Sequence, residues 1–144
     1  MKRLVLVVVA FVSLFHLVGY LSAQQPVESK GVASTVKLAG ENFGFLGELN
    51  GKYKLVATQT TIEPGGYVGE HNHVGPGIRY VASGEITLVE QGNAKVYKAG
   101  DLFYETGAVT NSASNKGSSP TVLLNFEIVP ADWKGGSAVP PKSK

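Results

Sequence analysis

Short stretches of alternating apolar and polar residues recur along the chain, separated by glycine, asparagine and proline. The clearest is 53–62, which is rich in β-branched residues and free of glycine and proline. Side chains of a strand alternate in direction with a period of two, so such stretches predict β-strands. The other predicted strands are 78–83, 85–91, 94–98, 102–105 and 121–129.

The turns between these segments strengthen the all-β prediction. Gly92-Asn93 predicts a hairpin between 85–91 and 94–98, and Asn50-Gly51 is a second strong hairpin signal. In 121–129 the apolar residues alternate with Glu127, which is therefore predicted to face solvent. No window of helical period and useful length occurs beyond the N-terminal leader, so the pattern favours a β-sandwich or barrel.

The first 23 residues are predicted to be a signal peptide. Met1-Lys2-Arg3 is a positive start, an apolar run follows, and Leu21-Ser22-Ala23 supplies small residues suited to cleavage. A retained membrane anchor is the alternative, although Ser13, His16 and Gly19 interrupt the apolar run. Cleavage predicts a periplasmic or secreted protein without stable membrane insertion.

Charge and cysteine content exclude several classes of function. Removal of the leader takes away two of the 13 basic residues and leaves 11 against 11 acidic ones, with no basic block that would suit nucleic acid. The chain has no cysteine, which excludes disulfides, a lipid attachment site and a cysteine nucleophile. The predicted order is an N-terminal arm at 24–40, one β-barrel domain at 41–130, and a Pro/Gly-rich tail at 131–144.

Two of the three histidines, His71 and His73, form a His-x-His pair in a glycine-rich stretch, whereas the third lies in the leader. In an extended segment both imidazoles fall on one face, because the strand period is two. Two imidazoles that converge on one point are the beginning of a transition-metal site.

The spacing around the pair resembles the first motif of the cupin family. That motif has a glycine, five residues, His-x-His, three or four residues, a glutamate, six residues and a glycine. Gly65, the His71–His73 pair and Gly84 occupy the corresponding positions, whereas Gly77 stands where the glutamate is expected.

The second cupin motif is recognisable but altered. Gly100 begins it, and Asn115 stands at its final asparagine. Thr106 replaces the proline, Ala108 the second glycine and Asn111 the histidine. The resemblance covers roughly 54–129 and implies an all-β, cupin-type double-stranded β-helix, the jelly-roll barrel with its pocket between two sheets.

The resemblance implies a divalent-metal site, for which cupins use three histidines and one glutamate. Since only His71 and His73 remain, a carboxylate from elsewhere would complete a two-His-one-carboxylate set, which suffices for Fe(II). Glu70, Glu105 and Glu127 are the candidates. Glu105 ranks first, because the family's motif brings its segment next to the histidines. Fe, Mn, Ni or Zn are the candidate metals, and a metal-free pocket is the alternative.

The resemblance also implies a small-molecule ligand, for which Asn111, Tyr80 and Arg79 are the predicted binding residues; aromatic residues in strands are otherwise ordinary core. No catalytic residue is assigned. Three functions remain open: a metal-dependent or formerly metal-dependent cupin of dioxygenase or isomerase type, a non-catalytic cupin that binds a small ligand without metal, and a structural or interaction role in which the outer sheet of the barrel dimerises. A homodimer is a further expectation, since cupins commonly dimerise.

Overall fold

The computed structural model describes residues 26–141, so the predicted signal peptide at 1–23 lies outside the described residues. Within them the chain is built almost wholly from antiparallel strands, with one short 3-10 helix at Gly47–Leu49. The strands are β1 (Ser29–Gly40), β2 (Tyr53–His73), β3 (Gly77–Ser83), β4 (Glu85–Glu90), β5 (Asn93–Lys98), β6 (Leu102–Glu105), β7 (Asn111–Ser114), β8 (Thr121–Pro130) and β9 (Ala138–Val139).

The long strand β2 organises the barrel. The hydrogen-bonded order is β5-β4-β7-β2-β8-β3-β6, and β1 and β9 also pair with β2. All these pairings are antiparallel. The result is a nearly closed barrel, which confirms the predicted cupin-type jelly roll. No helix among the described residues is long and apolar enough to cross a membrane.

Strand β2 continues well beyond the predicted end at residue 62. Its first half pairs with β8 up to Ile62, and its second half pairs with β7 from Tyr67 to His71. Gly65 lies between the two halves at φ +73°, in the left-handed region that glycine tolerates best. The strand therefore changes partner at this glycine and carries the His-x-His pair to the interior.

Of the two predicted hairpins, the structure contains one. β4 and β5 form the predicted hairpin, with the turn one residue earlier at Gln91-Gly92, where both residues have positive φ as a type I′ turn requires. Asn50-Gly51 does not join two strands directly. The 3-10 helix precedes it, and residues 41–52 as a whole connect β1 to β2.

The prediction that Glu127 faces solvent is wrong. Along β8 the buried side is Leu123, Asn125, Glu127 and Val129, whereas Phe126 on the opposite side is 44% exposed. The apolar alternation in this strand marks the outer surface of the barrel. Its inner surface carries both apolar and polar side chains, because it lines a cavity in which polar groups form hydrogen bonds with one another.

A compact apolar cluster forms one wall of that cavity. Burying side chains of this size contributes about 1.5–3 kcal/mol each. Tyr97 packs beside the cluster, and its ring stacks on Phe103 at 4.5 Å between centroids. The buried members of the cluster are Ile62, Val81, Ile86, Leu88, Phe103 and Leu123.

The segments predicted as arm and tail both pair with β2. Residues 29–40 form β1, which runs antiparallel to β2 from Gly40 opposite Leu55 to Ser29 opposite Val68. Near the other end of the chain, β9 pairs with Asn72 and His73. Both segments therefore contribute walls to the cavity.

Candidate metal centre

A cavity of about 620 Å³ lies inside the barrel and is bordered by β1, β2, β8 and the segment 133–138. Most of its lining is aliphatic. Its ionisable side chains other than Lys54 form one group of five: His71, His73, Arg79, Glu105 and Glu127. Burial at this level requires that charges be paired or hold a metal.

The two imidazoles face each other through their Nε2 atoms, which lie 3.2 Å apart. The Nδ1 atom of His71 lies 2.8 Å from the carbonyl of Gly69 and donates its hydrogen to it. That bond leaves Nε2 of His71 with a free lone pair, because a neutral imidazole carries one hydrogen. The ring is thus held in the tautomer that a metal ligand needs.

Glu105 reaches the same point from β6. Its Oε2 lies 3.3 Å from Nε2 of His73, and the donor atoms of His71, His73 and Glu105 all lie within 4.8 Å of one another. The strand register explains this meeting, since Glu105 pairs with Gly77, four residues after His73. These three are the residues that the sequence nominates as metal ligands, and the structure brings them together.

Arg79 joins two carboxylates at the bottom of the cluster. Its Nε lies 2.7 Å from Oε2 of Glu105 and its Nη2 lies 2.8 Å from Oε1 of Glu127. All three side chains are buried. Such charge-assisted bonds are short and strong, and their geometry holds Glu105 in position.

The other nitrogen of His73 is also held. Nδ1 lies 3.2 Å from Oε1 of Glu127 and 3.0 Å from Oγ of Ser137. The backbone N–H of Val74 donates to the carbonyl of Ser137 at 3.0 Å, which fixes that residue over the site. A carboxylate behind a ligating imidazole is the usual way in which a protein sets its orientation.

Charge in the cluster is balanced. Burial lowers the pKa of His71 more than its bond to Gly69 raises it, so this ring is neutral. Burial would also lower the pKa of His73, but hydrogen bonds to Glu105 and Glu127 outweigh it and raise the pKa. Burial would raise the pKa of Glu105, yet the bond from His73 and the charge of Arg79 lower it to about 2. The pKa of Glu127 is lowered against burial by the same two partners.

The missing family glutamate is explained by Arg79. A Cβ atom at Gly77 would overlap the Nη1 atom of Arg79 and lie 2.9 Å from the carbonyl of Phe126. The guanidinium therefore fills the space that a side chain at position 77 would need. A side chain at position 77 is therefore incompatible with the observed place of the Arg79 guanidinium, and the carboxylate nearest the two imidazoles is that of Glu105.

Asn111 and Tyr80 occupy different places. Asn111 pairs directly with His71 across β7 and β2, so the two side chains share a sheet face. It is buried, and its Oδ1 has no hydrogen-bond partner among the described residues. It lines a second, smaller cavity, however, not the one that holds the cluster. Tyr80 is half-buried, alternates with the inward Arg79, and does not line the main cavity.

The donor set fits a divalent metal. Two nitrogens or oxygens bound at about 2.1 Å to one ion lie roughly 3.0–3.4 Å apart at angles from 90° to tetrahedral. The Nε2–Nε2 and Nε2–Oε2 distances of 3.2 and 3.3 Å match that spacing. Two imidazoles and a carboxylate suit Fe, Mn, Ni or Zn.

Sequence reasoning misjudged the direction of Glu127, and it missed Ser137, which bonds His73. Glu127 was a candidate ligand, and the signal for its inward direction was the polar Asn125 on the same side of β8. No local signal marks Ser137, because its position depends on long-range pairing of residues 138–139 with β2.

The chain belongs to the cupin family. The family model for the cupin domain matches residues 58–127, the span that contains both motifs and all of the cluster except Ser137. The sequence matches no curated protein significantly.

Solved structures with the same fold include several cupins. A cupin superfamily protein from Desulfitobacterium hafniense superposes with a TM-score of 0.55 at 11% identity, covering 71% of this chain and 81% of that one. An RmlC-like cupin from Shewanella frigidimarina gives 0.54 at 21% identity, with 74% and 86% covered. Salicylate 1,2-dioxygenase from Pseudoaminobacter salicylatoxidans, solved with gentisate, gives 0.53 at 21% identity, with 67% of this chain and 25% of that one covered.

Proposed function

We propose that this protein is a metal-dependent cupin that acts on a small organic molecule, with dioxygenase chemistry favoured over isomerase chemistry. One observation carries the proposal: His71, His73 and Glu105 place three donor atoms within 4.8 Å of one another inside a large cavity. Two histidines and one carboxylate with open positions form the set that non-haem Fe(II) oxygenases use. The fold shared with a salicylate 1,2-dioxygenase agrees with this chemistry.

Each residue of the cluster has a definite task. His71 and His73 would hold the metal through Nε2, and Glu105 would add the negative charge that retains a divalent ion. Arg79 orients Glu105, since its Nε bonds the same oxygen at 2.7 Å. To hold a metal, Nε2 of His73 would have to be deprotonated, whereas its Nδ1–H would donate to Oε1 of Glu127, 3.2 Å away.

A bound Fe(II) would supply the capacity to bind O₂ and substrate side by side. The protein contributes the surroundings. The aliphatic lining excludes water, and the buried pairs around Arg79 keep their orientation without solvent. A proton released during the reaction has two buried carboxylates, Glu105 and Glu127, within reach of the imidazole of His73.

The test is metal analysis of protein prepared without a histidine tag. We expect close to one divalent ion per chain and loss of that ion in His71→Ala. Oxygen consumption by the Fe(II)-loaded protein with aromatic alcohols as trial substrates then tests the chemistry. Absence of bound metal after incubation with Fe, Mn, Ni and Zn would refute the proposal.

A non-catalytic, metal-free ligand-binding cupin is the second candidate. It is favoured by the way in which the cluster satisfies itself: Nε2 of His73 bonds Nε2 of His71 and Oε2 of Glu105, and Arg79 bonds both carboxylates. No buried charge then needs an ion. The same metal analysis separates the two, because this function predicts ligand binding that chelators do not change.

We also propose export and self-association. The sequence of the leader supports cleavage after Ala23, which intact-mass measurement of natively exported protein would detect. Exposed apolar residues on the outer face of the barrel support a homodimer, whose mass analytical ultracentrifugation would report. Those residues are Ile78, Leu102, Tyr104 and Phe126.

A further inference from the structure

The wall of the main cavity beyond the metal centre is mainly apolar, with a band of polar side chains that bond one another. The apolar side chains come from six strands and from the segment 133–138, so the apolar surface surrounds the space on several sides. The most buried of them are Ile62, Leu88, Phe103, Leu123 and Val129.

We propose that this cavity binds an uncharged, mainly apolar organic molecule that carries a single oxygen donor directed at the metal centre. The apolar body is inferred from the cavity wall, and only the direction of the oxygen rests on the proposed function. The ligand class is therefore an alkyl or aryl compound with one hydroxyl or carbonyl group.

Charge excludes a phosphorylated or otherwise anionic ligand. Lys54 and Arg79 are the lysine and arginine among the described residues that line the cavity. Arg79 bonds both Glu105 and Glu127. Lys54 directs its ammonium at the carbonyls of Ala131 and Trp133, at 3.0 and 2.8 Å. The one donor of Arg79 without a partner, Nη1, lies against the backbone of Gly77. Because both cations already have bonding partners, an anionic group would lose its hydration with little compensation.

Hydrogen bonding disfavours a sugar-like ligand with many hydroxyls. The polar side chains midway along the cavity bond one another: Ser34 and Thr60 meet at 2.8 Å, and Asn125 donates to Thr58 and Thr60 at 3.1 and 2.9 Å. Few partners remain for a polyol, whose unpaired hydroxyls would cost affinity. The apolar part of a ligand has no hydroxyl to leave unpaired, and each methylene that it buries tightens binding about fourfold.

The experiment compares 1-hexanol, 1-octanol and octyl phosphate by calorimetric titration, with the fluorescence of Trp133 as a second readout. Trp133 is the single tryptophan of the chain and lines the cavity. We expect 1-octanol to bind about fifteenfold more tightly than 1-hexanol, because it buries two more methylenes. Octyl phosphate is expected to bind at least tenfold more weakly than 1-octanol.

A pair of matched variants locates the binding. Ala113 lines the cavity and packs against the core cluster, so Ala113→Leu fills part of the space. Ala94→Leu makes the same change at an exposed position of β5. We expect Ala113→Leu to weaken 1-octanol binding tenfold and Ala94→Leu to leave it unchanged. If Ala113→Leu does not fold, Val129→Thr puts a hydroxyl in the wall at nearly constant volume and is expected to weaken binding several-fold.

Titrations with chelator-treated and Zn(II)-loaded protein separate this inference from the proposed function. Binding of the alcohols with the expected chain-length dependence, but no binding of Zn(II), refutes the metal function and supports the apolar cavity. Binding of Zn(II) without measurable binding of 1-octanol overturns the inference. Octyl phosphate that binds as tightly as 1-octanol also overturns it, as does an unchanged affinity in both cavity variants.

Discussion

Replacement of Arg79 by methionine tests whether its buried charge and a metal ion have interchangeable roles. Arg79 is 3% exposed and bonds Glu105 and Glu127 at 2.7 and 2.8 Å. Arg79→Met keeps an unbranched side chain that fills the space, but leaves two buried carboxylates to a single imidazolium. Breaking a buried ion pair on one side costs about 3–5 kcal/mol, so the metal-free variant should lose that much free energy of unfolding.

Divalent metal should restore most of this loss. Without the guanidinium, a bound metal ion would be the positive charge that compensates the buried carboxylate of Glu105. A metal present at 100 times its Kd stabilises the folded state by about 2.7 kcal/mol. Urea unfolding in the presence of a chelator and of excess Zn(II) measures both effects. We expect the variant to bind Zn(II) more tightly than the natural protein, because a repelling cation has been removed.

Lys54→Met is the matched control. Its ammonium bonds two backbone carbonyls and no carboxylate, so its loss should cost about 1–3 kcal/mol and should not respond to metal. A loss below about 1 kcal/mol in metal-free Arg79→Met, or an equal response of both variants to Zn(II), would refute the reasoning.

Three further predictions concern the same cluster. Asn111→His places an imidazole opposite His71 in the strand register and should tighten Zn(II) binding at least tenfold in calorimetric titration; unchanged affinity would show that position 111 lies outside the site. Gly77→Ala should destabilise the protein by about 1–3 kcal/mol in urea unfolding, because its Cβ would lie 2.7 Å from Cγ of Glu127, whereas Gly40→Ala, with nothing within 4 Å, should be neutral. The stability of the metal-free protein should be highest between pH 4.5 and 6.5. Because the pKa of Glu105 is lowered, its contribution to the free energy of unfolding is complete above pH 4.5 and is lost as the pH falls towards 2. Because the pKa of His73 is raised, its contribution is complete below pH 6.5 and is lost as the pH rises through that raised pKa. A stability that does not change with pH would contradict both.

Alternation of apolar residues predicted most strands but not which face of β8 is inside. The rule that the apolar face is buried holds when a strand covers a dry core. Around a cavity the inner face includes groups such as Asn125 and Glu127, and Phe126 remains on the outside. The extent of β2 was underestimated for a different reason. Gly65 is a strong turn signal, yet here it only redirects a strand that continues to His73.

At the site, sequence reasoning named the three candidate ligands but not the residues that surround them. His71 and His73 are recognisable from local spacing, and Glu105 from its place in the second motif. The role of Arg79 depends on two carboxylates from different strands, one of them predicted to be outside. Contacts of that kind depend on register across the sheet, which local pattern does not determine.

The candidate site is assembled from residues far apart in the chain, and this would affect how the protein binds a metal. Ser137 contacts His73 from 64 positions further along the chain, and Glu105 and Glu127 lie on separate strands. Barrels with such distant pairings fold in milliseconds to seconds, so the complete site exists only late in folding. The His-x-His pair, by contrast, is already adjacent in the unfolded chain and can take up an ion there, which subtracts from the stabilisation that the metal gives. Metal added before refolding would bind the two histidines of an unfolded chain, whereas metal added afterwards would bind the complete site of the folded barrel.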